Sequence, residues 1–147
     1  MTIKNLDKLM KKLDALGGNS HKALKKGIHQ GTKLVQAKAK LLAPVADIDG
    51  GRLRNSIQGE VVEQDGKISG EVSTNVEYAA YVEFGTGQRG EESPSPPKFG
   101  GDIRYRQNWK GMAAQPYLYP ALKQSEQEIR AIIVKLLSRE IAKLGGR

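Results

Sequence analysis

The sequence predicts an α+β fold: a small, mostly antiparallel sheet packed by two long helices, with a short N-terminal helix and a long loop near residues 86–111. Three observations predict it. Two stretches, 24–42 and 118–141, repeat their apolar residues at helical spacing. Two alternating segments flank Asp65-Gly66, a dipeptide suited to the positive φ angles of a two-residue hairpin turn. Between the hairpin region and the last helix, Thr86 to Gly111 is polar and rich in Gly and Pro, with little to offer a core. A chain of 147 residues is about one domain, taken as 1–147, and its 38% hydrophobic content excludes wholesale disorder.

Leu6, Leu9, Met10, Leu13 and Leu16 give a short amphipathic helix over 3–16, ended by Gly17-Gly18. Asn19 or Ser20 can cap a second helix with the apolar line Leu24, Ile28, Gly31, Val35, Ala39 and Leu42. It stops where Pro44 drives Ala43 out of the helical region. The opposite face carries Lys22, Lys26, His29, Lys33, Gln36 and Lys40, and no acid occurs between Asp14 and Asp47. Like charges at i,i+4 repel by about a few tenths of a kcal/mol per pair, so packing or an anionic partner has to offset them. An ordinary solvated face is the alternative reading.

Val45 to Gly51 reads as a loop. Its Asp47 and Asp49 are spaced as at the start of a calcium loop, but the later ligands and closing Glu are missing, so no metal is expected. Ser56–Glu63 and Lys67–Thr74 follow as strands, the second alternating Ile68, Gly70 and Val72 against Lys67, Ser69 and Glu71. Tyr78–Phe84 fits either a third strand or one short helix. Thr86–Gly111 reads as a long functional loop that orders on assembly or, alternatively, as a disordered surface loop, with Ile103–Trp109 as a short strand at its far side. The last helix carries Leu118, Leu122, Ser125, Ile129, Ile132, Ile133, Leu136, Leu137 and Ile141 as one stripe and ends at Gly145-Gly146. Glu126 and Glu128 lie early, and Lys135, Arg139 and Lys143 late, as the helix dipole favours.

Chemistry is sparse. The absence of Cys removes disulfides and thiolate sites. No apolar run reaches the ~20 residues of a membrane span, and the N-terminus has no signal-peptide apolar region, so a soluble chain made in the cytoplasm is expected. His21 and His29 lie two helical turns apart, too far to share a metal. Gly85-Thr86-Gly87 and Gly100-Gly101 lack the Gly-Lys-Ser/Thr and the following helix of a phosphate cradle. Glu83, among Tyr78, Tyr81 and Phe84, reads as a general base or, preferably, as the partner of an arginine such as Arg52 or Arg54 on a neighbouring strand or subunit. No catalytic set and no cofactor is expected. The net charge of +8 is concentrated early: residues 1–60 hold 12 Lys/Arg against 5 Asp/Glu, and residues 61–147 hold 12 against 11. A basic face there would favour nucleic acid, an anionic surface or an acidic protein.

Four motifs occur in a fixed order: Ala43-Pro44; Gly51-Arg52-Leu53-Arg54-Asn55-Ser56-Ile57; Tyr78-Ala79-Ala80-Tyr81-Val82-Glu83-Phe84-Gly85-Thr86-Gly87; and Pro116-Tyr117-Leu118-Tyr119-Pro120-Ala121-Leu122. Together they resemble the neck, tail-completion or head–tail joining proteins of long-tailed phages, the gene-product-ten-like family. The sequence departs from that pattern where Val45-Ala46-Asp47-Ile48-Asp49-Gly50 intervenes and Gly50 stands in place of Thr. The resemblance implies a non-catalytic virion structural protein, synthesised in the host cytoplasm. It would form a ring that completes the tail top and joins it to the head connector. By analogy with tail-top rings a hexamer is favoured, a dodecamer being the other symmetry. The implied partners are further copies of the chain, the head connector or stopper, tail-tube or tail-terminator proteins, and genomic DNA in the channel, with no membrane. Lys22, Lys26, Lys33, Lys40, Arg52 and Arg54 are then candidates to face DNA in the lumen. Tyr81, Glu83, Phe84, Arg104, Tyr105, Arg106 and Trp109 are candidates for the subunit interface. The competing reading is a sequence-nonspecific nucleic-acid-binding protein using the basic second helix. No helix-turn-helix spacing, zinc pattern or aromatic RNA-binding strand supports sequence readout.

Overall fold

The computed structural model describes residues 18–45, 50–98 and 103–145. The helix expected over 3–16 and the Asp47/Asp49 pair lie outside the described residues. In chain order the elements are α1 (Gly18–Leu42), α2 (Arg52–Ser56), β1 (Gln58–Gln64), β2 (Lys67–Ser73), α3 (Ala79–Phe84), α4 (Gly87–Glu92) and α5 (Leu118–Gly145). Helices with one antiparallel hairpin make the fold α+β, as the periodicities predict. The chain divides into two compact units.

One unit takes residues 18–32, 60–71 and 126–145. Ala23 and Leu137 are buried at its centre, with Leu24, Ile133, Leu136 and Ile141 packed around them. Burying a leucine such as Leu137 stabilises by on the order of 2 kcal/mol. The two helical segments approach closely because small residues face large ones. A Cβ on Gly27 would lie 3.1 Å from Ile133 Cγ1, and one on Gly31 would lie 3.0 Å from Ile129 Cγ2. Buried Thr32 satisfies its hydroxyl by donating to the Ile28 carbonyl at 2.7 Å. The Gly70 backbone passes so near that hydroxyl that any side chain at Gly70 would collide with it. Asp65 (φ 53°) and Gly66 (φ 77°) make the turn with positive φ at both positions, the geometry that suits strand twist in a two-residue hairpin. His21 Nε2, at 2.7 Å, and Lys25 Nζ, at 3.4 Å, both reach the Glu63 carboxylate on β1.

The other unit takes residues 33–59 and 72–125. Its buried apolar residues include Val35, Ala39, Ala43, Leu53, Ile57, Val76, Ala79, Tyr117 and Ala121. Gly51 (φ 94°) opens α2, a single turn that precedes the strand, so β1 starts at Gln58 and not at Ser56. Ser56 is instead held by its hydroxyl, which donates to the Leu53 carbonyl at 2.7 Å. Tyr78–Phe84, which fitted strand or helix, contains helix α3. Within the stretch read as a loop, Gly87–Glu92 is helical, so a helix does begin directly behind Gly85-Thr86, where none was expected. Ile103–Trp109 forms no strand; pairing occurs further on, in an isolated antiparallel bridge between Thr86 and Met112. Backbone chemistry explains that shift. Gly111 adopts φ 66°, and a Cβ there would overlap the Thr86 carbonyl oxygen, so the close crossing is possible only at glycine.

Candidate functional site

The site is built on α3. Ala79 and Glu83, one helical turn apart, are its buried residues, while Tyr81 points outward. Glu83 is only 5% exposed. Its Oε2 accepts the backbone N–H groups of Tyr117 at 2.8 Å and Leu118 at 3.0 Å, and its Oε1 accepts that of Tyr119 at 2.9 Å. These are the free donors at the start of α5, whose own first turn contains no acid. Glu83 therefore acts as a helix cap supplied from another helix, and the helix dipole favours its negative charge. Within the chain neither named arginine reaches Glu83: Arg52 Nη2 pairs with Glu77 at 3.1 Å, and Arg54 Nη2 donates to the Ala43 carbonyl at 3.2 Å.

Further bonds tie α3 to the residues before α5. The Gln115 N–H donates to the Val82 carbonyl at 2.8 Å, and the Tyr117 hydroxyl to the Ala79 carbonyl at 3.3 Å. Burial first, then the nearby Glu83 carboxylate and Tyr78, push the Tyr117 phenol up to about 12. The Tyr105 hydroxyl donates to the Phe84 carbonyl at 2.9 Å, and its own ionisation is pushed up by burial and then by Glu91. Beyond α3 the Gly85-Thr86-Gly87 backbone lies against residues 109–112. Thr86 and Met112 exchange N–H···O bonds of 2.8 and 3.0 Å, and the N–H groups of Gln88 and Arg89 reach the Trp109 and Lys110 carbonyls at 3.0 and 2.9 Å.

This framework leaves an open groove of about 780 Å³. Tyr81, Phe84, Ile103, Tyr105, Trp109 and Met112 supply its apolar lining, and Arg104 and Arg106 line it too. Tyr81 is 61% exposed, Trp109 52% and Met112 40%, so large apolar side chains stand in water here. Six of the seven interface candidates (Tyr81, Phe84, Arg104, Tyr105, Arg106 and Trp109) line this one groove, and the seventh, Glu83, lies behind it as the cap. Sequence reasoning missed Met112 and the Gly-Thr-Gly backbone as parts of the lining. The exchange between Thr86 and Met112 joins residues far apart in the chain and leaves no local pattern.

The basic candidates are distributed differently. Lys22, Lys26 and Lys33 are exposed on α1 and Lys40 is half-buried. Lys33 Nζ lies 3.4 Å from Gln36 Oε1. Arg52 is exposed, engaged with Glu77 and stacked 5.7 Å over the Tyr78 ring. The Glu77 carboxyl is held below its ordinary value by its own backbone hydrogen bond first and by Arg52 second. Arg54 is half-buried, with its Nε unpartnered among the described residues. Among the described residues no group of His, Asp or Glu side chains could hold a metal ion, and no helix is long and apolar enough to cross a membrane.

An exposed aromatic groove flanked by arginines has the make-up of a protein-contact surface, in which aromatic residues and Arg are enriched. The family comparison agrees with that class: residues 7–85 match the family described as "Bacteriophage HK97-gp10, putative tail-component". The chain belongs to this family, and a structural part in the virion is consistent with it. Neither the curated proteins nor the solved structures gave a match to the chain.

Proposed function

We propose that the chain, acting as one domain over residues 1–147, is a ring-forming subunit at the phage head–tail junction that completes the tail top and joins it to the head connector. The single observation that carries the reading is the groove. A tail-family protein with Tyr81, Trp109 and Met112 exposed beside Arg104 and Arg106 has a surface suited to burial against another subunit. A hexamer is the favoured symmetry, with a connector or stopper protein on one side and a tail-tube or terminator protein on the other. The role asks for binding and no catalysis. The exposed Lys22, Lys26 and Lys33 support a further element, a basic surface toward channel DNA, since phosphate neutralisation attracts DNA without reading its sequence.

Native mass spectrometry of the purified protein, alone and with purified tail tubes or connector complexes, tests this. A closed ring, free or on the tube, is the expected result. A monomer that ignores both partners yet binds DNA tightly would replace the neck reading with the nucleic-acid-binding one.

A further inference from the structure

We propose that the groove receives the β1–β2 hairpin of a second copy, with Glu60 and Glu71 of one subunit meeting Arg104 and Arg106 of the next. The inference rests on the ring reading and deepens it by naming the two surfaces that join. The two-residue turn at Asp65-Gly66 fixes the hairpin register and sets Glu60 directly opposite Glu71, on the same face. Like charges in that relation destabilise a hairpin. Both residues are exposed, and neither makes an ion pair among the described residues. Residues 58–73 as a whole hold four acids (Glu60, Glu63, Asp65, Glu71) against Lys67 alone, in a chain of net charge +8. Glu63 already has His21 and Lys25, so the unmet charge is concentrated at the Glu60–Glu71 pair and at the turn.

The groove presents the complement. Residues 103–112 hold Arg104, Arg106 and Lys110 and no acid. Arg104 and Arg106, two positions apart, both line the groove beside exposed Tyr81 and Trp109, and neither is ion-paired among the described residues. Two carboxylates on one face thus match two guanidinium groups, whose N–H groups donate to carboxylates in a favourable two-bond geometry. The sheet has only two strands among the described residues, and apart from the Gly59 N–H, which donates to Gln36 Oε1 at 3.1 Å, its edge backbone groups can serve further main-chain pairing. The groove cannot pair favourably with its own kind, because arginine would face arginine. Acidic hairpin to basic groove is therefore a head-to-tail contact, the type that generates rings when the rotation closes.

The test uses two variants of the full chain, Glu60→Arg with Glu71→Arg, and Arg104→Glu with Arg106→Glu. The hairpin variant keeps a like-charged cross-strand pair, so its intrinsic fold cost resembles that of the native pair. Assembly is read by native mass spectrometry across protein concentration, alone and on tail tubes. Each variant alone should need at least about tenfold more protein to assemble, a loss of 1.4 kcal/mol or more. A 1:1 mixture should regain wild-type assembly, because an alternating ring pairs every native or reversed hairpin with its complement. If a reversal unfolds the chain, Glu60→Gln with Glu71→Gln and Arg104→Gln with Arg106→Gln read the same contact by loss of assembly alone. Wild-type rings that neither change weakens, or folded reversals that fail to complement, would overturn this contact while leaving the ring reading intact. Rings insensitive to the changes combined with capture of purified tail-tube protein by the groove would assign it to that partner. A wild type that forms no ring in any condition would overturn both.

Discussion

Replacing Glu83 by alanine removes the carboxylate that caps the start of α5 and leaves the N–H groups of Tyr117, Leu118 and Tyr119 without their acceptor. Hydrogen bonds to a charged group contribute roughly 1.5–3 kcal/mol each, so three sum to about 4–9 kcal/mol before relaxation. Such bonds are not additive, and water entering the vacated space would recover part of the loss. Removing one partner of a buried charged interaction typically costs about 3–5 kcal/mol, which is the expected loss here. Against a usual domain stability of about 5–15 kcal/mol this is a large fraction. Glutamine is the sharper variant, because it keeps the shape. With its oxygen in the Oε2 position it retains neutral bonds to Tyr117 and Leu118, but its amide group then faces the Tyr119 N–H donor to donor. Its expected cost is about 2–3 kcal/mol, less than alanine but well above a surface change. Urea unfolding followed by far-ultraviolet circular dichroism measures both losses, and alanine should lower Tm by roughly 10–15 °C. An alanine variant within about 1 kcal/mol of wild type would refute the capping role.

Two further outcomes are expected. Gly111→Ala forces a side chain into the Thr86 carbonyl at a positive φ, so the protein should lose about 2–4 kcal/mol, with proteolytic nicking between residues 86 and 112 as the local readout. For Tyr117, the folded state keeps its proton until about pH 12, while an unfolded tyrosine releases it near 10. The unfolded chain then binds fewer protons in that window, so the contribution is complete below pH 10 and is lost as pH rises toward 12. Difference spectroscopy at 295 nm should show a tyrosine that ionises near pH 12, absent in Tyr117→Phe, and the variant's stability should fall less steeply over that range.

What the sequence disclosed was local. Asp65-Gly66 determined the hairpin because two adjacent positive-φ residues have few other uses, and the helical periods at 24–42 and 118–141 placed α1 and α5 to within a few residues. Gly31 read only as one member of the apolar line, whereas it is the point where Ile129 comes against the helix. The site candidates were legible as aromatic and arginine residues grouped in short motifs, and the groove gathers six of them. What stayed hidden depends on backbone groups from distant positions. Glu83 caps a helix more than thirty residues away, a relation that no capping signature encodes. The Gly-Thr-Gly motif read as the opening of a long loop, yet Thr86 pairs with Met112, and the amides of Gln88 and Arg89 just beyond it reach the Trp109 and Lys110 carbonyls. Periodicity reports side-chain burial, so a segment ordered by main-chain bonds reads as irregular.

The chain has a single tryptophan, and it is the half-exposed Trp109 in the groove wall. Its indole emission therefore reports on this one surface without any label. When a subunit, a tube protein or any other partner covers the groove, the ring passes from water to an apolar setting, so its emission should shift to shorter wavelength and iodide should quench it less. An association that leaves both unchanged must use another face. The order of contacts during assembly can thus be followed in real time with the unmodified protein.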